Sequence, residues 1–246
     1  NVLFVMPKVK GPKPQNSNFE LRGADEIRIS RNLSQRYKGI SDKTVSFLEV
    51  DTILTPYLDE ALYHERLKGT YERLNLLKLI QRGQFLGRLE FTGEYGRNLM
   101  SEVARYTIVG ALLGLQEKFD VIHAHDWMTY PAGVEAKRTS GKRLICHVHA
   151  TEFDRTGGNP NYDVYQIERY GLEMADMIVA VSQRTKNTIV SNYGIDPKKI
   201  QVVYNAVNKE KQLERCQIKK HLKGKIVLFL GRVTIQKGPD YFVEAA

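Results

Sequence analysis

The sequence contains little that would favour a secreted, membrane or disordered protein. Among its 246 residues only two are cysteines, Cys146 and Cys216, which is too few for the disulfide framework of a small secreted domain. No apolar run approaches the roughly 18 residues that a membrane span needs. The opening NVLFVMP lacks the basic segment and small-residue cleavage site of a signal peptide. Because 42% of the residues are hydrophobic and 26% charged, as in folded domains, we expect a folded cytoplasmic protein.

Acidic residues are fewer than basic ones: the sequence has 28 Asp and Glu but 37 Lys and Arg, which gives a net charge of +9. Such a balance favours an anionic partner, which could be nucleic acid, an acidic membrane or a phosphorylated small molecule. Seven basic and two acidic residues fall within 209–225, as in a short solvated linker. Since no aromatic residues alternate with these cations, we expect neither a nucleic-acid nor a membrane partner. A basic nucleic-acid-binding module remains an alternative.

From about residue 118 onward, short apolar runs alternate with segments of helical spacing. The predicted strands are 120–124, 143–148, 177–181, 200–204 and 225–230. The predicted helices are 128–138, 161–175 and 183–193, the last one closed by Gly194. Strands and helices that alternate at this spacing form βαβ crossovers. The predicted fold class is therefore α/β, a Rossmann-like parallel sheet with helices on both sides.

The N-terminal part is less regular. Residues 1–6 predict another buried strand, whereas 8–23 are rich in proline and polar residues and predict a loop. A further strand is expected at 44–50, and apolar residues recur at helical spacing between 57 and 117.

The chain divides into two predicted domains. Residues 1–207 form the Rossmann-like one, and 208–246 comprise the basic linker and the start of a second. We expect this division because one strand and one helix, at 226–246, cannot bury both of their faces.

Polar side chains follow each predicted strand of the parallel sheet. In open parallel sheets, ligands bind beyond the carboxyl ends of the strands, where the connecting loops converge. The residues at these positions are His125, Asp126, His149, Thr151, Glu152, Ser182, Asn205, Arg232 and Lys237. We expect them to lie on one rim of the sheet and to contain the functional site.

The segment GRVTIQKG, residues 231–238, carries the clearest chemistry. It follows a predicted strand, and a helix is expected to begin near Pro239, which places two cations beside a positive helix end. Arg232 can bind pyrophosphate oxygens bidentately, and Lys237 can act as a point charge. The alternative is that both are exposed loop cations.

Four histidines form two His-x-His pairs, His123 with His125 and His147 with His149. Residues i and i+2 of a strand share a face, so a four-histidine metal site is conceivable. A metal-dependent hydrolase would need further His or Asp ligands from later strands, and none ends those strands. We therefore expect no metal, core imidazoles at His123 and His147, and ligand contacts from His125 and His149.

Five segments together carry a family resemblance. They are HAHDW (123–127), HATEFD (149–154), VAVSQRTKN (179–187), YGIDPKKIQVVYNAV (193–207) and LGRVTIQKGPDYFVEAA (230–246). In combination they resemble retaining, nucleotide-sugar-dependent glycosyltransferases of the glycogen and starch synthase type. The resemblance implies a glycosyltransferase B fold, in which two Rossmann-like domains face each other across a cleft. By this resemblance, residues 1–207 are the acceptor side and the second domain binds the nucleotide-sugar.

The implied reaction transfers a hexosyl group, expected to be glucosyl, to an oligo- or polysaccharide with retention. The donor is a co-substrate of the UDP- or ADP-glucose type, and no cofactor is implied. By the same resemblance, Arg232 and Lys237 grip the donor diphosphate, and His125 is the catalytic residue that contacts the transferred sugar. The cleft-lining residues are expected to be Asp126, His149, Thr151, Glu152, Ser182 and Asn205.

Two elements of that family do not occur in these 246 residues: a glycine-rich loop after the first strand, and a Glu-x7-Glu element in the second domain. We therefore expect this stretch alone to be inactive as a transferase. A non-catalytic carbohydrate-binding or interaction domain is the alternative that this leaves open.

Overall fold

The computed structural model describes residues 2–11, 19–33, 35–36, 87–93, 99–207 and 224–246. The strands are β1 Val2–Met6, β2 Phe19–Gly23, β3 Arg28–Ile29, β4 Gly87–Arg88, β5 Val121–His125, β6 Arg143–Val148, β7 Met177–Ala180 and β8 Ile200–Val202. The helices are α1 Leu99–Gln116, α2 Tyr130–Ser140, α3 Glu152–Arg155, α4 Tyr162–Met174, α5 Gln183–Tyr193 and α6 Pro239–Ala245. Short 3-10 turns occur at Ala24–Glu26, Pro197–Lys199 and Ile235–Lys237. The predicted α/β class is confirmed.

The last four strands form one parallel sheet in the order β5-β6-β7-β8. In its register, His125 is opposite His147, and Val148 is opposite Ala180. Helices connect successive strands, because parallel neighbours need a crossover connection. The predicted alternation of parallel strands and helices is confirmed, and the boundaries of these four strands differ from the predicted ones by two residues at most.

One face of this sheet forms the main core. Leu144, Cys146 and Ile178 are fully buried there, and α2, α4 and α5 contribute side chains to the same cluster. Helix α4 crosses α2 at Gly171, where an added Cβ would lie 2.5 Å from the Tyr130 Cβ, so that only glycine fits. The opposite face of the sheet stays partly exposed.

The N-terminal strands form two smaller ladders. Strand β1 pairs with β2 in parallel, and β3 pairs with β4 in antiparallel fashion. The loop predicted for 8–23 is therefore wrong over Phe19–Gly23, because pairing along β1 overrides the polar composition of this segment. The strand predicted at 1–6 is confirmed, but it is not buried as predicted, because Val2, Phe4 and Met6 are exposed. The strand predicted at 44–50 lies outside the described residues.

The strand predicted at 225–230 is not formed. Residues 225–230 pair with no strand in the described part of the chain, and Leu230 is 91% exposed. A strand needs a ladder partner, and this apolar run has none there. Helix α6 follows as predicted. Across the described ranges, no helix has both the length and the apolar character needed to cross a membrane.

Candidate active site

The carboxyl edge of the sheet collects the polar residues that follow the strands. His125 is the last residue of β5, and His149 comes directly after β6. Ser182 and Asn205 follow β7 and β8 at short distances. Because the four strands are parallel and adjacent, all of these positions lie at one edge.

Two of the predicted site residues touch directly. The Nδ1 atom of His125 lies 3.0 Å from Nε2 of His149, and their rings are stacked with centroids 5.3 Å apart. Burial, together with the nearby imidazoles of His123 and His149, lowers the pKa of His125. The His125 ring is therefore neutral at pH 7 and can both donate and accept a hydrogen bond.

Asp126 joins the same two strand ends through its backbone and its carboxylate. Its φ of 58° lies in the left-handed region, which short polar residues tolerate better than most. The Asp126 N–H donates to the His147 carbonyl at 3.0 Å, and its Oδ1 accepts the His149 N–H at 2.9 Å. These bonds hold the strained turn and orient the loop that carries His149.

A partly buried ion pair that sequence analysis missed lies beneath this edge. Arg155 Nη1 donates to Glu168 Oε1 at 2.7 Å, and Arg155 Nη2 donates to the Ala150 carbonyl at 2.6 Å. The other oxygen of Glu168 accepts the Glu152 N–H at 2.9 Å and the Tyr193 hydroxyl. Burial raises the pKa of Glu168. The Glu168 carboxylate on α4 thus ties this helix to α5 and to the segment that follows β6.

A sequence signal for this ion pair existed. Val164, Glu168 and Leu172 are spaced by four residues on α4 and all face the core. A buried acid in an apolar helical stripe needs a charged or hydrogen-bonding partner, and Arg155 is that partner.

Three predicted cleft residues form local structure instead of facing open space. Thr151 caps α3 in a capping box with Asp154. Glu152 is buried, and its carboxylate accepts from Arg155 at 3.3 Å. Ser182 caps α5 by accepting the Thr185 N–H at 3.0 Å. Asn205 is exposed.

The predicted phosphate-binding cations lie in the turn before α6. Both Arg232 and Lys237 are exposed, and Lys237 Cγ lies 3.7 Å from the position of a Cβ on Gly231. The 3-10 turn that ends with Lys237 contacts α3. A Cβ added to Gly157, just after α3, would lie 3.2 Å from Ile235 Cγ2. The 3-10 turn that ends with Lys237 therefore packs beside the carboxyl edge of the sheet.

His123 and His147 are not core imidazoles, so this expectation was wrong. Both lie on the partly exposed face of the sheet, and His123 is exposed. Burial and the three neighbouring histidines lower the pKa of His147 to about 4. Neither of its ring nitrogens has a hydrogen-bond partner within the described ranges.

The chain matches a known protein family. Residues 52–211, well over half of the chain, match the family described as Glycosyltransferase Family 4. Domains of this family have the glycosyltransferase B fold, in agreement with the parallel sheet described above.

Several curated proteins are similar to the chain. An uncharacterized glycosyltransferase of Methanocaldococcus jannaschii is 31% identical over 147 residues, which is 54% of this chain and 37% of the relative. A UDP-Gal:alpha-D-GlcNAc-diphosphoundecaprenol alpha-1,3-galactosyltransferase of Escherichia coli is 28% identical, over 53% of this chain and 36% of the relative. An alpha-maltose-1-phosphate synthase of Mycolicibacterium smegmatis is 28% identical, over 53% and 38%.

The match to these relatives spans only a little more than a third of their length. The comparisons support sugar transfer. The glycogen and starch synthase type, retention and the glucosyl donor stay predictions, as do the domain boundary and the residue roles.

Proposed function

Because the chain belongs to glycosyltransferase family 4, we propose that the intact protein transfers a hexosyl group from a nucleoside diphosphate sugar to a carbohydrate hydroxyl. We expect the group to be glucosyl and the configuration at its anomeric carbon to be retained. Donors of the UDP- and ADP-glucose type and an oligo- or polysaccharide acceptor are the proposed substrates. The name of one relative specifies UDP-galactose, which supports a nucleoside diphosphate hexose as donor.

The contact between His125 and His149 is the observation that carries this proposal. It fixes a neutral imidazole at the carboxyl edge of the sheet, with one ring nitrogen engaged and Nε2 left for a ligand. A neutral imidazole can hydrogen-bond a sugar hydroxyl without adding positive charge beside an oxocarbenium-like transition state. By holding the sugar ring in one orientation, His125 lowers the entropic part of the barrier.

The leaving diphosphate is the second requirement of the reaction. Its negative charge grows as the bond to the anomeric carbon breaks, and cations fixed beforehand stabilise it without reorganisation. We assign this role to Arg232 and Lys237, and the 3-10 turn that ends with Lys237 packs against α3. With two cations on the diphosphate, the proposed reaction needs no metal cofactor.

Retention is proposed to proceed by attack on the same face of the sugar. Two carboxylates at this edge are already bonded: Asp126 accepts the His149 N–H, and Glu152 accepts from Arg155. This favours a mechanism without a covalent carboxylate intermediate. The anomeric bond to phosphate breaks, the acceptor oxygen bonds to the anomeric carbon, and the acceptor proton passes to the departing phosphate.

The test is an assay of the intact protein with UDP-glucose, ADP-glucose and UDP-galactose, and with maltooligosaccharide as acceptor. Proton NMR of the early product reports its anomeric configuration. We expect an α-linked product from these α-linked donors. A β-linked product would overturn retention, and the absence of transfer and of donor hydrolysis with all three donors would overturn the proposed donor class.

A further inference from the structure

Three histidines of the partly exposed sheet face lie close enough to share one ligand. His123 and His125 are two residues apart on β5, and His147 is opposite His125 on β6. Their ring centroids form a triangle with sides of 4.6, 5.0 and 5.3 Å. One nitrogen from each ring lies within 4.8 Å of the other two. We propose that His123, His125 and His147 bind a divalent transition metal of the Zn²⁺ class.

The spacing requires only side-chain movement. Zn–N bonds of about 2.0–2.1 Å place two ligands of a tetrahedral ion about 3.4 Å apart, so no pair of nitrogens has to approach by more than about 1.4 Å. The rings of His123 and His125 are nearly parallel, with an interplanar angle of 16°. Rotation of the His123 and His147 side chains would turn their nitrogens towards a common centre with His125, while the β5–β6 ladder keeps the backbones fixed.

The remaining contacts of the cluster fit metal ligation. A ligating imidazole usually engages its second nitrogen in a hydrogen bond, which fixes the orientation of the ring. His125 does this through Nδ1, which is 3.0 Å from His149 Nε2. Both nitrogens of His147 are shielded from solvent and lack a partner within the described ranges, and a metal would satisfy one of them.

The identity of the ligands selects the metal. Imidazole suits Zn²⁺, Cu²⁺ and Ni²⁺, whereas Mg²⁺ prefers oxygen ligands. An ion has access to the cluster, because His123 and His125 line a cleft of about 1570 Å³ between β1 and β5.

The proposed ion would compete with the sugar for His125 and would not act as a cofactor. This competition is the only part of the inference that rests on the proposed function. An ion on Nε2 of His125 would remove the imidazole that is assigned to the sugar. Zn²⁺ would therefore inhibit sugar transfer, whereas Mg²⁺ would not.

The site itself is tested by calorimetric titration of the protein with Zn²⁺ alone, in a Cys216→Ser background that removes one competing thiol. We expect one bound ion, and a loss of affinity of about 10-fold to 100-fold or more in His123→Gln and in His147→Gln. Val179→Ala, which alters the residue opposite His147 in the register, is the matched control and should bind normally. Absence of Zn²⁺ binding, or equal affinity in His147→Gln and the unaltered protein, would overturn the site.

Two further measurements keep the test decisive. If a glutamine variant fails to fold, NMR of the unaltered protein with Co²⁺ identifies the ligands. The signals of His123, His125 and His147 should be the ones most strongly shifted. Shifts confined to other histidines would overturn the site. In the transfer assay, His123→Gln should keep its activity and resist Zn²⁺ inhibition. Zn²⁺ binding without any inhibition would leave the metal site intact and contradict the role of His125.

Discussion

His125 at the end of β5 and His149 just after β6 are joined by a 3.0 Å contact between Nδ1 and Nε2. The two strands are neighbours in the sheet, and Asp126 adds a second link by accepting the His149 N–H. The edge that carries the proposed sugar contact is thus held by two independent bonds. Its geometry also depends on what lies beneath it, namely Arg155 and Glu168.

Glu168→Gln should destabilise the fold. The change removes the shortest ion pair of the Arg155 guanidinium and leaves its contact with Glu152 at 3.3 Å. Because the Arg155 side chain is 25% exposed, the loss should be smaller than for a fully buried pair, at about 1–3 kcal/mol. The free energy of unfolding in urea measures this loss. Glu173→Gln is the matched control on the same helix, because Glu173 and its partner Arg169 are both about half exposed and surface pairs contribute little. Equal losses of stability in the two variants would contradict the structural role of Glu168.

The main sheet could be predicted from the sequence because its strands are continuous apolar runs with helices between them. The same criterion failed at 225–230, where the apolar run pairs with no strand in the described part of the chain, and at Phe19–Gly23, where a polar segment pairs with β1. Pairing is a tertiary property, and local composition does not determine it.

The candidate site could be predicted in part. The positions of His125 and His149 at the carboxyl edge follow from the parallel topology alone. The exposure of His123 depends on which segments cover the second face of the sheet. The spacing of apolar residues along the sequence does not reveal this. Arg155 and Glu168 escaped prediction because their pairing joins the short helix α3 to a residue of α4 that lies 13 positions further along the chain.

Arg232→Ala and Lys237→Ala should each lower kcat more than they raise KM in the intact enzyme. Each removes a charge that stabilises the departing diphosphate most strongly in the transition state, an effect of about 10²-fold to 10³-fold in kcat. Lys142→Ala is the matched control, because Lys142 is exposed just before β6, at the opposite edge of the sheet. Steady-state kinetics with varied donor measures both constants, and kcat values equal to that of Lys142→Ala would contradict the assignment.

Lys237→Arg should also be impaired, although it preserves the charge. A planar guanidinium does not occupy the position of a compact ammonium, and its donors point in fixed directions. Donor kinetics should place this variant between the unaltered enzyme and Lys237→Ala. Full activity would show that only net charge matters at this position.

Cys146 should be inert in the folded protein. Burial raises the pKa of its thiol to about 12, so that about one molecule in 10⁴ carries the thiolate at pH 8. In a Cys216→Ser variant, a thiol reagent should label the chain only after unfolding in urea. Labelling of the native protein at the rate of a free thiol would contradict the packing of α4 against this face of the sheet.

The division of roles at the site is tested most directly by comparing His125→Ala with Lys237→Ala in the intact enzyme, measuring both turnover and affinity for the nucleoside diphosphate. We expect both variants to lose turnover. Only Lys237→Ala should also lose affinity for the nucleoside diphosphate, because His125 is assigned to the sugar and Lys237 to the phosphates. Loss of nucleoside diphosphate affinity in His125→Ala, with unchanged affinity and turnover in Lys237→Ala, would contradict this division of roles.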